Sequence, residues 1–303
     1  MAHGNTVTLS ARAKINLYLD ILSRRENGYH NILSIMQSVA LCDTVTLTAL
    51  PAGEGIHVET DIPELPTDRR NLAYRAAEKF TRVLGYTPDV HIAIAKRIPM
   101  SAGLAGGSSD AAAVLCGLNL LCHTGLSQDE LCELGATLGA DIPFCIAGGA
   151  MVTEGIGEIL TPCEGLPETQ WLVIACGGEG VSTPDAYRAL DEKHGNFAAV
   201  HESDPRFTSL KAALSAGDTE KAGANMYNIF EEIVLPTHSV AAQLIDSMQA
   251  SGASRAMMSG SGPSVFGLFA TKEMAEAAAA YIDRTLGIRA HVTHPAPRQN
   301  NMV

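Results

Sequence analysis

Residues 97–113 read RIPMSAGLAGGSSDAAA, with glycines at 103, 106 and 107, serines at 108 and 109, and then a run of alanines. A glycine loop between a strand and a helix presents backbone N–H groups and the positive end of a helix dipole to an anion. That context is present: VHIAIAK precedes the loop and an alanine-rich helical stretch follows it. No Lys-Ser or Lys-Thr follows the last glycine, and the spacing is not G-x-G-x-x-G, so neither the Walker A loop nor the dinucleotide fingerprint is present. Taken alone, the segment is equally well read as a tight helix start. If it cradles phosphate, positive charge must come from outside the loop. Lys96, just before it, is one source, although a lysine at a strand end is nearly as readily solvated. Asp110 falls in the first helical turn, where a carboxylate suits the dipole but repels phosphate. Either it points away or a divalent cation lies between.

These residues need elements to carry them. VTLSARAKINLYLDIL reads as a strand or strand pair. From residue 13 it alternates, with Ala13, Ile15, Leu17, Leu19 and Ile21 on one face and Lys14, Asn16, Tyr18 and Asp20 on the other. DTVTLTAL and VHIAIAK alternate as well. NLAYRAAEKFTRVLG has helical spacing and a terminal glycine, with Asn71 placed to cap it. SSDAAAVLCGLNLLCH reads as a helix capped by Ser108 or Ser109. SQDELCELGATLG opens with a capping box, Ser127 to Glu130, and ends at Gly139. Asp141, in LGADIPF, follows that helix ahead of Pro143, a position where aspartates often bond their own backbone.

TPCEGLPETQ, residues 161–170, lacks periodicity and is the expected junction between two lobes. Beyond it come a strand WLVIACG, a helix from STPDAYRALDEKH, and helices around 206–216, 218–232 and 236–250. SRAMMSG, SVFGLFA, the helix TKEMAEAAAAYIDRTLG and the strand IRAHVTH follow, and PAPRQNNMV is expected to fray. His291 and His294 fall on opposite faces of their strand and are not a metal pair. Strands and helices alternate in both halves, so the class is α/β or α+β.

The 303 residues carry a net charge of −12, which argues against nucleic-acid or anionic-membrane partners but leaves room for a local positive pocket. Seven cysteines with no C-x-x-C spacing are expected to be reduced thiols of a cytoplasmic protein. No basic apolar leader and no run of about 18 apolar residues is present, so a membrane partner is not expected.

PMSAGLAGGSSDAA, MSGSGPSVFGLF (258–269) and ARAKINLYL together resemble the phosphate loop, the C-terminal glycine motif and the N-terminal motif of the GHMP kinase superfamily, in its order. AKINLYLDILSRRENGYHNILSIMQSVALCD and LGADIPFCIAGGAMVTEGIGEILTP resemble, more specifically, the branch that acts on 4-diphosphocytidyl-2-C-methyl-D-erythritol in the non-mevalonate route to isoprenoid precursors. The resemblance implies a two-lobed α+β GHMP kinase fold, with an ATP-binding lobe over 1–165 and a ferredoxin-like lobe over 166–303. It implies ATP with Mg²⁺ as co-substrate, no tightly bound cofactor and no dedicated metal ligands, in a monomer or homodimer. It makes Lys14 and Asp141 catalytic, the latter as base. ATP falls to Asn71, Lys96 and the loop residues Pro99, Met100, Ser101, Ala102, Gly103, Leu104, Ala105, Gly106, Gly107, Ser108 and Ser109. The cytidyl substrate falls to Asn16, Tyr29, His30 and Tyr187, with His30 bonding the base and Tyr187 stacking on it. Ser101, Ala102 and Ala105 depart from the glycine that many relatives carry, but all are small. Two alternatives are a GHMP kinase for mevalonate or homoserine, which has no use for GYH, and a non-catalytic nucleotide-binding regulator, which would be expected to lose Lys14 or Asp141.

Overall fold

The computed structural model describes residues 4–197 and 204–298. The first sheet is built on one long antiparallel hairpin, β1 (Thr6–Arg24) with β2 (His30–Ala49). β3 (Ile56–Thr60) and β4 (Val90–Ala95) extend it on the β2 side, and β5 (Ala150–Glu154) pairs with the start of β2 and with β6 (Ile159–Pro162). The hairpin register shifts between Arg12 and Lys14, between Asn16 and Tyr18, and between Ile21 and Ser23. Such irregularities re-aim side chains. The face expected to be polar is not wet: Lys14, Asn16, Tyr18 and Asp20 are all buried. The strand is covered on both sides, and its polar residues satisfy one another.

Four helices cover this sheet: α1 (Leu72–Leu84), α2 (Gly106–Cys122), α3 (Gln128–Ala136) and α4 (Ile142–Ala147). α2 is buried nearly all round, which its alanines permit. A Cβ on Gly117 would meet Leu47 at 2.7 Å and Leu9 at 2.8 Å, so the helix lies almost on the strands. The start of α2 departs from expectation. Its cap is Ala105, in a left-handed conformation (φ 59°), and no side chain caps it. Ser108 and Ser109 lie inside the first turn. α3 has the expected capping box but ends at Ala136, and Gly139 follows in a turn.

The second sheet has the order β11-β7-β10-β9, all antiparallel, from β7 (Trp171–Ala175), β9 (Arg255–Met258), β10 (Val265–Phe269) and β11 (Ala290–Thr293). With α9 (Ser239–Ala250) and α10 (Lys272–Leu286) it forms the β-α-β-β-α-β ferredoxin-like pattern, the last strand lying beside the first. Between β7 and α9 run α5 (Thr183–Lys193), α6 (Arg206–Ser215), α7 (Thr219–Asn225) and α8 (Glu231–Val234). The single helix expected over 218–232 is broken. Tyr227–Asn228 form a short strand, β8, paired in parallel with Tyr18–Leu19 of β1, and such long-range pairing overrides local helical spacing. The tail expected to fray is held through Arg298: Ala296 N–H donates to the Ser38 carbonyl, and Gly148 bridges to Arg298. Residues 299–303 lie outside the described ones.

Candidate active site

A cleft of about 1160 Å³ runs along one side of the molecule. The glycine loop, Asn71, Lys14, Asn16, Asp141, Tyr29, His30 and Tyr187 all line it; the loop meets β1 at Lys14, and His30 pairs with Arg24 at the far end of that strand. It therefore gathers side chains that the sequence holds far apart.

The loop end is mostly backbone. Ser101 (φ 52°), Gly103 (φ 75°) and Ala105 (φ 59°) all take left-handed conformations, so the two non-glycine residues keep the loop's path at some strain. A Cβ on Gly103 would collide with the Ser259 carbonyl oxygen, so the loop presses against the second glycine motif. Ser259 Oγ donates to the Gly103 carbonyl at 3.3 Å, and Lys14 N–H donates to the Leu104 carbonyl at 3.1 Å. Ala102 and Leu104 turn their side chains into the core, while Met100 is exposed. The Ser109 hydroxyl faces away from the loop and donates to the Arg12 carbonyl. Ser108 lines the cleft. Asn71 caps α1, accepting from Ala73 N–H at 2.9 Å and donating to the Pro66 carbonyl at 2.7 Å, and it borders the cleft as well.

Lys96 does not reach freely into the cleft. Its ammonium lies between two buried carboxylates, Asp43 and, at 2.7 Å, Asp110. Asp43 also accepts from the backbone N–H groups of Arg97 and Ile98. The group thus ties β2, the end of β4 and the first turn of α2 together beneath the loop. Burial pushes the Asp110 carboxyl above the usual range, and Lys96 opposes that shift.

At the middle, Lys14 Nζ donates to Asn16 Oδ1 at 2.6 Å. Asn16 Nδ2 donates to Ser34 Oγ at 2.9 Å, and its backbone N–H to Ser259 Oγ at 3.3 Å. A Cβ on Gly260 would lie 3.4 Å from the Lys14 ammonium, so the second glycine motif closes over it. Asp141 precedes α4, and its side chain makes no capping bond to that helix. Burial pushes the neighbouring Cys145 thiol up to about 12, with Asp141 raising it further and Lys14 lowering it. The carboxylate and the ammonium therefore both act on the space around that sulfur.

At the far end, Tyr29 is 60% exposed. His30 is the first residue of β2 and is buried. Its ring stacks on Tyr187 at 4.8 Å and 23°. Tyr187 also meets the Phe230 ring edge-on at 5.0 Å. His30 Nε2 lies 2.7 Å from Asp191 Oδ1, and Arg24 is 3.5 Å from the other oxygen of that carboxylate.

The chain matches the family models for the GHMP kinases N terminal domain over residues 71–149 and GHMP kinases C terminal over residues 210–288. It is 44% identical to a 4-diphosphocytidyl-2-C-methyl-D-erythritol kinase of Alkaliphilus metalliredigens (strain QYMF), over 91% of this chain and 91% of that protein. The enzyme of that name from Gloeobacter violaceus (strain ATCC 29082 / PCC 7421) is 40% identical over 95% of this chain and 93% of its own. The chain belongs to the 4-diphosphocytidyl-2-C-methyl-D-erythritol kinase family, a branch of the GHMP kinases. A crystal structure of 4-(cytidine 5'-diphospho)-2C-methyl-D-erythritol kinase superposes with a TM-score of 0.79 at 31% identity, covering 96% of this chain and 99% of that one. An L. major mevalonate kinase solved with R-mevalonate shares the fold, with a TM-score of 0.72 at 15% identity over 97% and 98% of the two chains.

A GHMP kinase uses ATP, and the site offers hard oxygen donors for the accompanying cation. Asp110 Oδ1 is buried and has no hydrogen-bond partner, and Asp110 borders the cleft beside Ser108. One or two carboxylates together with substrate phosphates are the usual protein environment of Mg²⁺, so these residues fit it. Sequence reasoning passed over Asp43 and Asp191. Asp191 stands four residues after Tyr187 on α5, a spacing that puts both on one helix face. Asp43 gave no local signal, because its partners are 53 and more residues away.

Proposed function

We propose that this chain transfers the γ-phosphoryl group of ATP to the 2-hydroxyl of 4-diphosphocytidyl-2-C-methyl-D-erythritol. The observation that carries the reading is one continuous cleft with the glycine loop at one end, Lys14 and Asp141 between, and the aromatic pair His30–Tyr187 at the other. A substrate with a reacting alcohol in the middle and a pyrimidine at one end fits that order. In this reading residues 1–165 form the ATP-binding lobe and residues 166–303 the second lobe. The enzyme works in the cytoplasm, where ATP is supplied, as a monomer or homodimer.

Phosphoryl transfer asks a protein for positioning and charge neutralisation more than for covalent chemistry. The Asp141 carboxylate, unspent on its own helix, accepts the proton of the 2-hydroxyl. The alcohol oxygen attacks the γ-phosphorus, the bond from that phosphorus to the bridging oxygen breaks, and ADP leaves. Lys14, held by Asn16, keeps a positive charge beside the carboxylate and the transferring group. The free N–H groups at the start of α2 receive phosphate oxygens. Asp110 and Ser108 would hold Mg²⁺, which when bound neutralises phosphate charge.

A single plate assay of ADP release tests this, with ATP, Mg²⁺ and a panel of alcohols for wild type and Asp141→Asn. The cytidyl substrate should turn over far above mevalonate, homoserine and galactose, and equal activity on any of those three overturns the assignment. General base catalysis is worth roughly 10²–10⁴-fold, so the variant should lose at least about a hundredfold in kcat. A kcat within about fivefold of wild type would leave Asp141 a turn residue only.

A further inference from the structure

Asp191 is a carboxylate with no place in phosphoryl transfer, and it is buried with its oxygens turned to two cations or donors. His30 and Asp191 are 6% and 9% exposed, so their 2.7 Å contact is shielded from water. Ionised, Asp191 can only accept. The proton of this bond therefore sits on His30 Nε2. Arg24 approaches the other oxygen of the same carboxylate at 3.5 Å, so Asp191 is held from two sides. The ring is fixed in plane by the stack on Tyr187 and by the edge contact with Phe197 at 6.0 Å. Nδ1 has no hydrogen-bond partner among the described residues, while His30 borders the cleft.

We propose that Asp191 is a positioning residue that holds His30 in its Nε2–H tautomer, so that Nδ1 meets the nucleobase as an acceptor and the enzyme selects cytosine over uracil. This rests on the reading of the cleft given above. The two bases differ on their pairing edge: cytosine carries an amino donor at C4 beside a bare N3, uracil a carbonyl acceptor at C4 beside N3–H, and in this proposal Nδ1 faces the C4 substituent. An acceptor at Nδ1 bonds the amino group and opposes the carbonyl. Freed from Asp191, the ring can move its proton to Nδ1 and satisfy either base. Discrimination then comes from a residue that touches no base atom, acting through the histidine.

Two measurements separate this proposal from the functional reading. The first is ¹⁵N NMR of histidine-labelled protein without substrate. In wild type, His30 should show a protonated Nε2 and a bare, pyridine-type Nδ1. In Asp191→Ala the two shifts should converge as the tautomers mix. Asp191→Asn, which keeps the volume and can present either oxygen or N–H, should fall between and guards against a folding defect. The second is kcat/KM for the cytidyl substrate against its uridyl counterpart. In both variants the cytidyl-to-uridyl ratio should fall roughly tenfold or more, through KM for the cytidyl substrate, with KM for ATP unchanged. Wild-type His30 protonated on Nδ1 overturns the proposal, and so does a ratio that survives in both folded variants. Turnover of neither base by wild type overturns the functional reading, while the NMR result still decides the tautomer.

Discussion

The two ends of the cleft are built from different material. The loop end is mostly backbone: consecutive residues of one segment present N–H groups, Lys96 and Asp43 brace the segment from beneath, and Asp110 is shared between that brace and the cleft. The end proposed for the base is side chains: His30 from β2, Tyr187 and Asp191 from α5, with Arg24 from β1 behind them. A backbone cradle recognises what every nucleoside triphosphate shares. A side-chain cage recognises what one base has and another lacks. Substitutions should therefore act on stability at the first end and on substrate choice at the second, and the contrast can be broken at either.

The largest effect is expected beneath the loop. Removing one partner of a buried ion pair costs about 3–5 kcal/mol, because the other charge stays buried without compensation. Lys96→Met leaves Asp43 and Asp110 facing each other, and urea unfolding at neutral pH should show a loss of that size. The sign with pH follows from Asp110. Its carboxyl is already raised above the ordinary value by burial, and the loss of Lys96 raises it further. A carboxyl with a raised folded-state pKa binds protons more tightly in the native state. Its unfavourable contribution is absent below the unfolded value of 3.8 and grows as pH rises through the raised one. The variant should therefore recover stability relative to wild type on acidification. A loss under about 1 kcal/mol would make Lys96 an ordinary strand-end lysine, with the loop free of any brace.

A smaller effect, of another kind, is expected at the base end. Base–aromatic stacking is worth about 1–3 kcal/mol, so Tyr187→Ala should lower kcat/KM for the cytidyl substrate by roughly 5- to 150-fold. KM for ATP should move less than about threefold. Tyr187→Phe keeps the ring and should stay close to wild type. A large ATP effect with no loss toward the cytidyl substrate would erase the division between the two ends.

That division also explains what the sequence made legible. The strand before the loop, the loop and the helix it opens are contiguous, so their spacing could be read directly. The strands and helices of the second sheet are each locally periodic, while their ferredoxin-like order came from the resemblance to the GHMP kinases. The cage was legible only in pieces. That His30 begins a buried strand could not be read locally, because the strand owes its existence to pairing with β1. The break at Tyr227–Asn228 has the same origin, a two-residue pairing with Tyr18 and Leu19 that no helical periodicity could announce. Asp110 and Lys96 were visible as residues and Asp43 was not, because the contact among the three depends on three elements meeting. The alternation of β1 likewise could not show that Lys14 and Asn16 are buried, since that depends on what covers their face.

The smallest effect returns to the loop and tests whether its path is imposed by its surroundings. Ala105 holds φ 59° and ψ 26°, in a region that costs an L-residue roughly 1–2 kcal/mol. It is also the residue capping α2, a position that glycine fills well. Ala105→Gly should release the strain and give back part of the gain as extra freedom in the unfolded chain, about 0.4–1 kcal/mol. The balance is a stabilisation of about 0.5–1 kcal/mol, read as a small rise in the urea midpoint without a change in slope. Gly103 shows why the backbone stays where it is: that residue is wedged against the Ser259 carbonyl and cannot move to relax its neighbours. If Ala105→Gly instead lowered the midpoint, the methyl group packed under the loop would outweigh the backbone strain, and the loop end too would depend on a side chain.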